Sequence, residues 1–137
     1  MINPNFIFDQ QATPQIEFAE MGDQYKLTKD ISIHIGITGH QIKTEYIELD
    51  PNGLLTLKMG FIWDGATGVF DTKLMLASAV HDALYRLMRR QLLSIDYRKQ
   101  ADKIFREISK VKNSWVKSLI LYWGVRWFGG RHAEPQA

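Results

Sequence analysis

The chain has 137 residues, of which 45% are hydrophobic and 23% charged, with no cysteine and a formal net charge of +2. This is the size and composition of one globular domain able to bury its own core, which argues against a disordered chain. The absence of cysteine excludes disulfides, thiolate nucleophiles, thiolate zinc sites and iron–sulfur clusters.

Taken in chain order, the N-terminal half reads as short strands. Phe6 to Phe8 is a short candidate. Gln15 to Glu20 alternates, with Ile16 and Phe18 on one face, and Tyr25 and Leu27 repeat the pattern after a turn at Gly22-Asp23. The clearest strand is Ile31 to Ile37, with four isoleucines on one face and Ser32, His34 and Gly36 on the other. Residues 43–60 read as a hairpin about the turn Asp50-Pro51-Asn52-Gly53, where proline presets φ and glycine accepts a positive φ. Past Phe61 the pattern changes. Gly60, Gly65 and Gly68 punctuate a loop, and Asp71 or Thr72 can cap a helix running to about Arg90. Ser94 can cap a second helix reaching about Lys110. Asn113 or Ser114 can cap a third reaching about Phe128, stopped by Gly129-Gly130.

The expectation is a single domain over residues 1–137: residues 1–60 β-rich, residues 61–130 helical, and a polar tail over residues 131–137. Its fold class is α+β, an N-terminal antiparallel sheet of four to six short strands with three C-terminal helices packed against it. No basic start leads into an apolar run, and no stretch reaches the roughly 18–20 apolar residues of a membrane span. Neither a secretory signal nor a transmembrane segment is therefore expected.

Three segments stand out together: Gly60-Phe61-Ile62-Trp63-Asp64-Gly65-Ala66-Thr67, Ala79-Val80-His81-Asp82-Ala83-Leu84-Tyr85-Arg86, and Ala101-Asp102-Lys103-Ile104-Phe105 with Tyr122-Trp123-Gly124-Val125-Arg126 downstream. Their order and spacing resemble an uncharacterised family of phage and prophage proteins, domain of unknown function 1353, over roughly residues 25–130. That family has a Gly-Phe-x-x-Asp-Gly-Ala-Ser/Thr loop, a His-Asp-x-Leu-Tyr helix, an Ala-Asp-x-x-Phe helix and a final aromatic helix. It often carries a proline soon after the Ala-Ser/Thr pair, where this chain has Gly68-Val69-Phe70. The resemblance implies a phage or prophage origin, and with it the host cytoplasm or the virion as location. It implies no established activity.

The chemistry rests on Asp64, His81, Asp82 and Asp102. His81 and Tyr85 are four apart and share a helix face, as do Asp82 and Arg86 next to them. Asp102 reaches the first helix if the second packs antiparallel to it. One imidazole with two or three carboxylates suits general-base work by His81, Asp64 and Asp82. A divalent metal would take His81, Asp82 and Asp102 as ligands. Metal-dependent phosphohydrolases also place a His-Asp dyad between another His and a later Asp, which would recruit His34 or His40. That fold is all-helical, whereas His34 sits on a strand here. The competing reading is a hydrogen-bonded structural knot, with Asp64 fixing its loop, Asp82–Arg86 an ordinary i, i+4 pair that contributes little if exposed, and Asp102 holding Arg86 or Tyr85. The knot is favoured, so no cofactor is expected ahead of a metal. No Gly-x-Ser-x-Gly elbow, Walker loop, dinucleotide fingerprint or His-Glu-x-x-His pair occurs.

Two further features concern partners. Apolar and aromatic residues crowd 115–128 almost all round, which marks a buried helix or an interface built on Trp115, Trp123, Arg126 and Trp127. Charge is also split along the chain. Residues 1–71 hold ten acidic and four basic side chains, −6, and residues 72–137 five acidic and thirteen basic, +8. The favoured reading is that the two halves attract each other and most Lys and Arg sit on a solvated face. The alternative takes Arg86, Arg89, Arg90, Arg98 and Lys99 as anion or nucleic-acid contacts, with an anionic membrane surface as a weaker partner. The expected function is a phage accessory or virion-associated protein of the tail or of assembly, working through contacts with phage or host proteins or with its own copies. The alternatives are a small metal-dependent hydrolase and a non-specific nucleic-acid binder.

Overall fold

The computed structural model describes residues 1–9, 13–64 and 72–109. The protein is α+β, with strands β1 (Phe18–Met21), β2 (Gln24–Leu27), β3 (Ile31–His34), β4 (Ile42–Lys43), β5 (Ile47–Leu49), β6 (Leu54–Leu57) and β7 (Ile62–Trp63). Helices α1 (Thr72–Arg89) and α2 (Arg98–Ser109) follow. The third expected helix lies outside the described residues.

The larger sheet has the order β3-β6-β5-β4, all antiparallel. Its β5–β6 hairpin is set by the expected turn. Asp50 accepts from the N–H groups of Asn52 and Leu54, each at 2.9 Å, and Gly53 takes φ +86°. Register then opposes Leu49 to Leu55 and Ile47 to Leu57. These four, with Ile31, Ile33 and Ile42, form one buried apolar face. The Ile31–Ile37 strand ends sooner than expected, at His34, because Gly36 turns the chain at φ +76°. Ile35 and Ile37 are buried all the same.

The expected single sheet is in fact two. A second sheet, β1-β2-β7, is built from the first hairpin and from Ile62-Trp63, residues assigned to a loop by sequence. The cause is the turn after β6. Gly60 adopts φ +99°, and Leu27 bonds both Gly60 and Phe61 through its backbone at 2.9 Å. The chain is thereby delivered to β2 instead of extending the first sheet. Phe6 to Phe8 forms no strand. Instead Ile2 bridges Ile37, and the backbone of Asn3 donates to Gly36 at 2.8 Å.

Helix α1 is the central element. Every residue from Leu74 to Tyr85 is buried, including Ser78, His81 and Asp82. The chain leaves it through Gln91 at φ +60°. Ser94 caps a short 3₁₀ turn, Ile95–Tyr97, rather than α2 itself, which begins at Arg98. Helix α2 packs back on α1 through Ala101, Ile104, Phe105 and Ile108, the i, i+3, i+4, i+7 stripe of an amphipathic helix. Among the described residues no helix is long and apolar enough to cross a membrane.

Candidate functional site

The helix pair α1–α2 assembles the polar set. His81 lies on the buried stripe of α1 and Tyr85 one turn later, their rings 4.1 Å apart. Asp102, in the first turns of α2, faces both. His81 Nε2 lies 2.6 Å from Asp102 Oδ1, and the Tyr85 hydroxyl donates to the same oxygen at 2.7 Å. Phe105 closes the imidazole from the side, its ring edge-on at 5.6 Å. His81 is 0% exposed, whereas the Asp102 side chain keeps 26% of its surface in solvent. Burial, and then the bond to Asp102, hold the Tyr85 hydroxyl well above its ordinary pKa, so it remains a neutral donor.

Asp82 belongs to a different cluster. Its carboxylate accepts from Arg86 Nε at 3.2 Å and from Arg86 Nη2 at 3.0 Å. The same guanidinium donates to the carbonyl of Ile62 and lies 4.6 Å over the Phe61 ring. Arg86 therefore ties α1 to β7. The pair has the i, i+4 spacing expected from sequence, but it is not a solvated one: Asp82 is 3% exposed. Burial pushes the Asp82 carboxyl above its ordinary pKa, against the lowering pull of Arg86. A second tie lies beside it, from Trp63 Nε1 to Ser78 Oγ at 3.0 Å, with Ser78 donating onward to the Met75 carbonyl at 2.8 Å.

The four sequence candidates thus divide. His81 and Asp102 meet, and Tyr85 joins them. Asp82 turns to Arg86. Asp64, half-buried at the end of β7, accepts from Gln24 Nε2 at 3.2 Å. His34 is exposed on β3, and His40 packs edge-on against Tyr97 at 5.3 Å with Nδ1 3.0 Å from the Thr38 carbonyl. Among the described residues no group of three or more His, Asp or Glu is placed to hold a metal ion. Of the anion candidates, Arg86 is engaged in the core and Arg89 is half-buried, its guanidinium pulled down from its ordinary pKa by burial. Arg90, Arg98 and Lys99 are exposed. Trp115, Trp123, Arg126 and Trp127 lie outside the described residues.

Chemically, the arrangement is a lock. One carboxylate oxygen receives two donors from one helix face, and the imidazole between them has no route to solvent. A solute can touch the open edge of Asp102, but it cannot reach the ring of His81. Sequence reasoning missed the Arg86–Ile62 and Trp63–Ser78 ties. Their only local signal was a Phe-Ile-Trp run just before the glycines, legible as a strand by β propensity. The protein is thus defined as an α+β domain with an internal polar lock. Comparison with protein-family models, curated proteins and solved structures found no match for the chain.

Proposed function

We propose that the chain is a phage- or prophage-encoded accessory protein, associated with the virion in its tail or assembly, that acts through contacts with phage or host proteins. In this reading His81, Asp102 and Tyr85 are structural. The observation that carries it is the complete burial of His81 between Tyr85, Phe105 and Asp102. General-base catalysis needs the ring within hydrogen-bond reach of a substrate proton. Two buried donors on one carboxylate oxygen, His81 Nε2 and the Tyr85 hydroxyl, instead fix how two helices meet. The phage context comes from the resemblance of the Gly60–Thr67, Ala79–Arg86 and Ala101–Phe105 segments.

Fractionation of a lysate from induced prophage tests this. The protein is expected to co-sediment with particles or assembly intermediates through a high-salt wash. Recovery only in the soluble host fraction, together with metal-dependent phosphoester or cell-wall hydrolysis abolished by His81→Ala, would replace this reading with the hydrolase.

A further inference from the structure

A groove of about 300 Å³ runs between the N-terminal segment and α2. One wall is Ile2, Phe6, Ile7 and Phe8, and the other includes Lys103 and Ile104. Ile7 is 86% exposed and Ile2 48%, an unusual placement for two isoleucines on neighbouring turns of chain. The apolar wall is held in place. The Met1 ammonium donates to the Thr38 carbonyl at 2.6 Å, and the Thr38 N–H donates back to Met1 at 2.6 Å. Phe6 sits so close over Gly36 that a Cβ there would lie 2.5 Å from its ring. The groove therefore exists before anything binds, which lowers the ordering cost of an occupant.

The α2 wall itself carries one charge of each sign, Lys103 and Glu107, and the basic residues lie on the helix face beside it. Lys99, Lys103 and Arg106 stand at i, i+4 and i+7 on the exposed side of α2, and none makes an ion pair with another described residue. We infer that this groove takes an extended segment of a partner protein that inserts one or two apolar side chains and sets acidic residues against the neighbouring Lys99–Lys103–Arg106 face of α2. The inference rests on the interaction-protein reading above and names the partner's chemistry. Size supports a peptide: about 300 Å³ is at the small end of ligand clefts, enough for an anchor side chain or two. Charge complementarity makes that peptide acidic. Glu107 lines the same wall, so the acidic residues of the peptide fall on the basic face of α2 outside the groove. The apolar wall suits side-chain anchors that a phosphate backbone lacks, which favours protein over nucleic acid.

The test uses fluorescence anisotropy of the full chain with labelled synthetic peptides. Each carries two leucine or phenylalanine anchors and none, two or four glutamates. Affinity is expected to tighten about tenfold from no glutamates to four and to weaken with added salt. It should fall about tenfold in Lys103→Glu and be lost in Ile7→Asp. Both positions are exposed, so both variants should keep the wild-type melting temperature and circular dichroism. Absence of binding by every peptide, indifference to glutamate content or to either variant, or tighter binding of a single-stranded oligonucleotide would each overturn the inference. Particle co-sedimentation separates the two claims. Co-sedimentation with no peptide binding sinks the groove and leaves the phage role, whereas peptide binding without co-sedimentation does the reverse.

Discussion

At the scale of single residues the structure distinguishes two polar clusters that the sequence runs together. The i, i+4 spacings of His81–Tyr85 and Asp82–Arg86 were legible, and Asp102 was legible as the partner from α2. What could not be read was which carboxylate faces the core, because that depends on β7. The lock predicts graded losses. Tyr85→Phe removes one of two donors to Asp102 and should cost about 1 kcal/mol in urea unfolding. His81→Ala also opens a void against Phe105 and should cost roughly 3 kcal/mol. Arg86→Leu leaves the Asp82 carboxylate buried without its cation and should cost about 3–5 kcal/mol at neutral pH. That is a large share of the roughly 5–15 kcal/mol total expected for a domain. Burial raises the folded pKa of Asp82, so the native state binds this proton more tightly than the unfolded chain does. The Arg86→Leu penalty should therefore shrink as pH falls and Asp82 becomes neutral. A penalty independent of pH would mean that Asp82 is solvated in the variant.

At the scale of elements, the hairpin at Asp50–Gly53 and both described helices were legible because turn chemistry and apolar periodicity are local. The division into two sheets was not. It depends on the return of the chain at Gly60 and on Leu27 bonding Phe61, a contact across 34 residues. The segment Ile62-Trp63 is only two residues long, too short for alternation to declare it a strand. The end of β3 at His34 was hidden for a similar reason, since Ile35 and Ile37 continue the apolar period past the turn at Gly36. That turn yields a direct prediction. Gly36→Ala forces a side chain into φ +76° and into the Phe6 ring. It should cost more than about 1 kcal/mol and loosen the N-terminal segment. Limited proteolysis should then cut within residues 1–9 faster than in wild type, and an unchanged rate would contradict the seating of Phe6 on Gly36.

At the scale of the whole molecule, the two sheets are joined where the chain passes between them. Asp30 accepts from the Met59 N–H at 2.6 Å and pairs with Lys58 at 2.9 Å. The Met59 bond and then Lys58 hold the Asp30 carboxyl below its ordinary pKa. A depressed folded pKa contributes stability that is present above the unfolded value of about 4 and is lost as pH falls through the folded one. Asp30→Asn should therefore melt lower than wild type at neutral pH, and the gap should close in acid. The pair is exposed, so the gap should be small and narrow further in salt. Both partners of Asp30–Lys58 come from the acidic half of the chain. Lys99, Lys103 and Arg106 of α2 are exposed.

The central claim is that His81 holds α1 and α2 together and does not serve a reaction. Its most direct test is thermal unfolding of wild type and His81→Ala, each with and without added zinc and manganese, alongside metal analysis of the purified proteins. A ligand that binds only the native state raises the melting temperature. The expected result is no stoichiometric metal, no metal-dependent rise in wild type, and a lower melting temperature for His81→Ala under every condition. Stoichiometric metal in wild type that is lost in His81→Ala, with the variant melting where the metal-free wild type does, would contradict the claim.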